Sequence, residues 1–146
     1  MNLEVTIIPY GQLSQLIPSL MRYLNMSETW ANGRANIDDI VKFLLTGQMH
    51  LWAVYEPESG TVYGYVITEI KQYPQKKMLV AQYCAGEPNH MRYVQDKAFS
   101  TLDEVAVKAG CDGIEFFGRP GWRPYAKQYG YAVQTVVYEK HFEVKS

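Results

Sequence analysis

Glu115 stands inside the apolar run Ile114-Glu115-Phe116-Phe117. A carboxylate so placed must pair with a cation or line a cleft. Arg119 and Arg123 follow closely, with Trp122 between them. Either arginine can serve as the partner of Glu115. An aromatic residue among guanidinium groups at the C-terminal end of a strand suits a ligand site in an open α/β sheet, and equally suits a wedge between helix and sheet. Glu69 is a second carboxylate set in an apolar alternation, although Lys71 follows it and Tyr73-Pro74 opens a turn, which also fits an exposed strand end. Cys84 and Cys111 have neither CxxC nor metal-ligand spacing and read as buried free thiols of a reducing compartment. His50, His90 and His141 are scattered, with no pair at metal-ligand spacing, so no metal is expected. No G-x-S-x-G elbow occurs, which leaves covalent hydrolase chemistry without support. Gly118 to Gly121, interrupted by Pro120, is too short for a dinucleotide loop.

The elements that must position these groups follow from periodicity. Leu3 to Ile8 is a short strand-type run. From Gln12 to Met26, apolar residues at Leu13, Leu16, Ile17, Leu20, Met21 and Leu24 give the spacing of an amphipathic helix, with Pro18 as a kink or a division. Ser27 to Ala35 reads as a loop. Asn36 caps a second helix reaching Leu45, with Asp38 and Asp39 in its first turn and Gly47 closing it. Met49–Tyr55, Thr61–Ile70 and Met78–Cys84, joined by short turns, form an antiparallel meander. In the middle strand Val62, Gly64, Val66, Thr68 and Ile70 share one face, and Tyr63, Tyr65, Ile67 and Glu69 the other. Tyr93–Ala109 is a long helix with a stripe at Val94, Ala98, Leu102, Val105, Ala106 and Ala109. A strand at Asp112–Phe117 completes a right-handed parallel crossover. A short helix over Trp122–Tyr129, ended by Gly130, leads to a last strand at Tyr131–Tyr138.

With 146 residues, 47% of them apolar, the chain has the size and core material of one domain, 1–146. Its net charge of −1 offers no footprint for nucleic acid and no basic patch for a membrane surface. No apolar run approaches the roughly 20 residues that span a bilayer. Met1 to Val5 carries no secretory signal pattern, so a cytoplasmic protein is expected.

The closing phrase of strand, Gly/Pro break, short helix ended by Tyr129-Gly130-Tyr131, and strand resembles the end of the GNAT superfamily of acyl-CoA-dependent N-acyltransferases. The order β-α-α-β-β-β-α-β-α-β is similar to that fold over nearly the whole chain. The wording from Ile114 to Trp122 also resembles small GNAT-like proteins of tailed bacteriophages. The resemblance implies an α/β fold with a mixed sheet and acetyl-CoA as donor beside Tyr83, Cys84, Gly86, His90 and Arg92. It implies Glu69 as the base, beside the partner or substrate cleft that the residues themselves suggest at Glu115, Arg119, Trp122 and Arg123. Two departures stand out. The family's glycine-rich phosphate loop is replaced by Gly86-Glu87-Pro88, where Pro88 lacks an N–H and Glu87 brings negative charge. The family's acidic Tyr, four residues before the helix-ending Gly, is Ala126 here, and Tyr125 and Tyr129 lie off that position. These departures favour a catalytically degenerate binding or phage assembly protein, in host cytoplasm or virion, that engages a protein partner. The alternative is an active acetyl-CoA-dependent N-acetyltransferase acting on the amine of a small molecule or protein, with Glu69 and Tyr125 as its catalytic groups.

Overall fold

The computed structural model describes residues 2–31, 33–118 and 120–143, with the side chains of 27–30 left out. Arg119 therefore lies outside the described residues. The elements are β1 (Glu4–Ile7), α1 (Leu13–Trp30), α2 (Ile37–Leu45), β2 (His50–Tyr55), β3 (Val62–Gln72), β4 (Lys77–Gly86), α3 (Met91–Lys108), β5 (Gly113–Phe116) and α4 (Arg123–Gln128). Pro18 removes one backbone bond from α1 without dividing the helix. That helix extends into the Ser27–Ala35 segment expected to be a loop, as far as Trp30. At α2 the expected cap is a reciprocal one. Asp39 N–H donates to Asn36 Oδ1 at 2.9 Å, and Asn36 N–H donates to Asp39 Oδ2 at 3.1 Å.

The strands lie in the order β1-β2-β3-β4-β5. The first four pair antiparallel, and α3 carries the chain over to β5, which pairs parallel with β4. Each face of the sheet has its own core. On one face α1 and α2 bury Leu20, Tyr23, Leu24, Ile40 and Leu44 against Leu51, Tyr65 and Ile67. On the other α3 buries Val94, Ala98, Phe99 and Leu102 against Val54, Val66, Leu79 and Ala81. The alternation of β3 is interrupted once within the strand. Val54 pairs with Gly64 and Tyr55 with Val62, so Tyr63 is an extra residue. Tyr63 consequently packs on the α3 side and Val62 on the α1 side, the reverse of the simple alternation. A second bulge puts an extra Gln82 into β4, between the Ile67–Tyr83 and Thr68–Ala81 pairs.

Two features shape the region of interest. The β4–β5 ladder runs from Met78–Gly113 to Ala81–Phe116 and then stops, while β4 continues to Gly86. The two strands therefore part beyond Ala81. Above that gap α3 comes very close to the sheet, because its floor is Gly64 paired with Gly86. A Cβ on Gly64 would lie 2.8 Å from both Ala85 O and Val94 Cγ1.

The expected last strand at Tyr131–Tyr138 does not form; residues 131–143 pair with no strand. Tyr131 is drawn into an aromatic cluster with Phe99 and Phe116, at centroid distances of 5.4 and 6.1 Å. Farther on, Glu139 pairs with Arg34, at the connection between α1 and α2, and with His141. These contacts lead the segment away from the β5 edge.

Candidate functional site

Glu69 is buried, only 8% exposed, rather than an exposed strand end. It pairs with Val80, one residue before the point where β4 and β5 part. The Gln82 bulge aims that side chain at it, and Gln82 Nε2 donates to Glu69 Oε1 at 3.1 Å. Gln48 Nε2 donates to Oε2 at 3.4 Å, and Lys71 Nζ lies 3.7 Å from Oε1. Glu115 is also paired with Val80, from the other side, so the two carboxylates flank one buried valine across three strands. Tyr73 donates its hydroxyl to Glu115 Oε2 at 2.9 Å. That bond, with burial and the charges of Glu115 and Glu69, raises the Tyr73 pKa above the usual tyrosine value. Tyr83 is raised as well, first by burial and then by Glu69 and Asp39. Glu69, Gln82, Tyr83, Tyr73 and Glu115 thus form one polar cluster beside the α1 and α2 core. The expected ion pair of Glu115 with Arg123 is absent among the described residues. Arg123 opens α4, is exposed, and makes no contact with that carboxylate.

The other side of the gap holds a groove between α3 and α4. It encloses about 820 Å³ and is lined by Arg92, Gln95 and Asp96 of α3 and by Trp122, Tyr125 and Tyr129. Among the described residues no side chain caps the α3 N-terminus, which His90 precedes. The His90 ring packs against Tyr63 at 4.7 Å, and its Nδ1 is buried without a partner among the described residues. Cys84 lines a separate apolar cavity of about 30 Å³ beneath α3, together with Met91, Val94, Phe116 and Trp122. Trp122 packs on Phe116 and Phe99, at 5.4 and 6.5 Å, and also forms one wall of the groove. Wedge and lining roles therefore belong to the same side chain.

Glu87 departs from expectation. Its carboxylate does not face the groove but turns to α1, where Arg22 pairs with it and Tyr23 donates its hydroxyl at 2.8 Å. Tyr23 is held in turn by Tyr65, whose hydroxyl donates to Tyr23 O at 2.9 Å. Arg22 therefore stands beside this loop as a second cation with Arg92. Among the candidate acids, Tyr129 donates to Asp96 and stacks on Phe99 at 4.4 Å. Its pKa is pushed up to about 12, by burial first and then by Asp96. Tyr125 is 49% exposed on the groove wall. Of the residues expected around a donor, Arg92 lines the groove, Gly86 packs under α3 against Met91 and Val94, Cys84 faces the small cavity, and Tyr83 points to the opposite face. Arg22, Gln48 and Gln82 carry no signal of a site in the sequence, and Tyr73 reads there only as the start of a turn. Each is an ordinary polar residue whose role depends on a partner 13 to 65 positions away. No group of three or more potential metal ligands occurs among the described residues.

Solved structures share this fold. A predicted acetyltransferase from Clostridium acetobutylicum, solved with acetyl-CoA, superposes with a TM-score of 0.70 at 14% identity, covering 96% of each chain. A ribosomal-protein-alanine N-acetyltransferase from Brucella melitensis gives 0.70 at 14% identity, over 97% of this chain and all (100%) of its own. Glucosamine-6-phosphate N-acetyltransferase from Arabidopsis thaliana gives 0.68 at 9%, over 98% of this chain and 100% of its own. No protein-family model matches the sequence, and no curated protein matches it. The fold is that of the GNAT acetyltransferases, a mixed α/β sheet of five strands with four helices among the described residues.

Proposed function

We propose that this chain is an acyl-CoA-dependent N-acyltransferase whose acceptor is the amine of a small molecule or protein. The observation that carries the reading is Glu69. It is a buried carboxylate one residue from the strand gap, oriented by two neutral amide donors. Burying a carboxylate is costly unless it is well partnered, and among the described residues no buried cation accounts for this one. Lys71 beside it is 42% exposed. The groove fits a donor at its diphosphate end: Arg92 stands there, the α3 amides lack a side-chain cap, and Glu87 faces elsewhere. Bound acyl-CoA supplies an activated thioester. Arg92 and the first turn of α3 would hold its phosphates, and Trp122 and Tyr125 would flank it. Glu69 takes the proton that the amine loses as its nitrogen bonds to the acyl carbon. Tyr73 and Glu115 orient the acceptor from the other side of Val80. Ala126 offers no acid to the departing sulfur, and Tyr129 is committed to Asp96. A thiol of pKa about 8.5 can leave as thiolate near neutral pH, so the missing acid is tolerable.

A second reading, a catalytically degenerate partner-binding protein such as one of phage assembly, is favoured by one observation. Phe99, Phe116 and Trp122 close the space under α3 to about 30 Å³. The two readings part on one measurement, CoA release from acetyl-CoA with a mixed panel of amines. Release well above hydrolysis is expected, falling by about 100-fold or more in Glu69→Gln. Wild-type release at background would overturn the acyltransferase reading and leave the binding one.

A further inference from the structure

We propose that Arg22 is an anion ligand held in reserve by Glu87. Arg22 would exchange the Glu87 carboxylate for a phosphate oxygen when a diphosphate ester binds at the start of α3. The inference rests on the donor reading above and extends it to a residue of α1, an element on the opposite face of the sheet. Its starting point is a charge count. Among the described residues that line the groove, Arg92 is the one cation and Asp96 the one anion. Among the described residues the groove's own charges therefore cancel, and a further cation would favour a diphosphate there.

Arg22, paired with Glu87 of the loop that leads into α3, is the candidate. Glu87 sits at the centre of the loop that leads into α3. Its N–H donates to Tyr63 O at 2.8 Å, and its carbonyl accepts from His90 N–H at 2.9 Å. A guanidinium that pairs with the Glu87 carboxylate must therefore already reach that loop. Arg22 also donates to the Tyr23 hydroxyl at 3.1 Å and lies over the Tyr23 ring at 5.0 Å. Its side chain is 66% exposed, against 29% for Glu87. An ion pair so open to water is weakly held. A phosphate offers the guanidinium fork the same two-point geometry with more charge. Glu87 would not be stranded by the exchange, because the Tyr23 hydroxyl remains hydrogen-bonded to it at 2.8 Å. The acidic residue in the loop then acts as a placeholder that keeps Arg22 in position while no anion is bound.

The test is calorimetric binding of CoA, dephospho-CoA and pantetheine to the full chain and to Glu87→Gln, Arg22→Gln and the double variant. Folding of each variant is checked by circular dichroism. Glu87→Gln should tighten CoA, since Arg22 no longer has to leave a carboxylate. The deciding comparison is within the Glu87→Gln background. If Arg22 touches phosphate, adding Arg22→Gln weakens CoA by about tenfold. If Arg22 only neutralises Glu87, the two affinities are equal, and the proposal falls. Dephospho-CoA, which keeps the diphosphate, should show the same loss; a loss confined to CoA would move Arg22 to the ribose phosphate and overturn the diphosphate assignment. Pantetheine, which carries no phosphate, should show none, and an equal loss with it would also overturn the proposal. Absence of CoA binding to the wild type at millimolar concentration would do the same. Turnover is not read, so a protein that binds CoA through Arg22 yet releases none with amines defeats the acyltransferase reading alone.

Discussion

Tyr131 illustrates how much a single hydroxyl can matter in this molecule. Its ring belongs to the Phe99 and Phe116 cluster, but its OH is buried without a hydrogen-bond partner among the described residues. Burial, followed by the charge of Asp103, pushes its pKa up to about 12. An unsatisfied buried hydroxyl is a net cost, so Tyr131→Phe should raise stability by about 1 kcal/mol, read from denaturant or thermal unfolding. The pH dependence follows from the same residue and from Tyr129, also pushed up to about 12. Both folded-state values lie above the ordinary value of about 10. The neutral phenols therefore favour the fold fully below pH about 10, and that contribution is lost as pH rises towards about 12. Unfolding should accordingly become easier over this alkaline window, and less steeply in Tyr131→Phe. A flat profile there would show that both phenols ionise as they do in the unfolded chain. The same raised value keeps Tyr129 a neutral donor to Asp96 at working pH. That residue therefore braces α4 against α3 instead of serving as the acid that Ala126 fails to provide.

At the scale of elements, the positioning of α3 depends on the paired Gly64 and Gly86. A methyl group on Gly64 would meet Ala85 O and Val94 Cγ1 at 2.8 Å, and the carbonyl cannot yield without disturbing the β3–β4 ladder. Gly64→Ala should therefore destabilise by about 1–3 kcal/mol, as overpacking does, and weaken CoA binding by tilting the start of α3. Gly11→Ala is the control, because nothing lies within 4 Å of a Cβ built there. Equal melting temperatures for the two variants would mean that α3 is not seated on these glycines. The elements themselves were largely legible in the sequence. The three/four spacing around Leu20 and Leu24, the Asn36 cap, the meander turns and the Val94 to Ala106 stripe are local signals, and each element formed. The bulges at Tyr63 and Gln82 were not legible, since an extra residue is defined only against the partner strand. For the same reason the alignment of Gln82 with Glu69 could not be read, although Glu69 itself stood out. Glu87 misled because its charge was visible, while Arg22, 65 positions earlier, was not recognisable as its partner. The Tyr131–Tyr138 segment has strand composition, but a strand also requires an edge, and the contact of Glu139 with Arg34 carries the chain elsewhere.

Taken as a whole, the molecule is a sheet with a polar cluster on one side and a groove on the other, and β4 and β5 part beyond Ala81. The α1 and α2 side holds Glu69, Glu115 and their partners, and the α3 and α4 side holds the groove. Arg22, Tyr23 and Glu87 tie the first side to the loop that begins the second. Stability should be distributed to match. The central strands β3 and β4 contain Tyr65, Ile67 and Val80, each 0% exposed, and these strands should hold the slowest-exchanging amides. Residues 132–143 should exchange nearly as fast as an unfolded chain, because they make no ladder and expose Val133, Val136, Val137, Tyr138 and Phe142. Hydrogen–deuterium exchange read by mass spectrometry tests both ends of that gradient. Added CoA should slow exchange from Glu87 to Gln95, at the loop and the first turn of α3, with little change in β1 and β2. Protection spread evenly over the chain would point to general stabilisation, and no protection at the loop would remove the donor from this groove. Slow exchange at 132–138 in the free protein would show these residues paired as a strand, and the exposed edge of β5 is the place where such a strand can add.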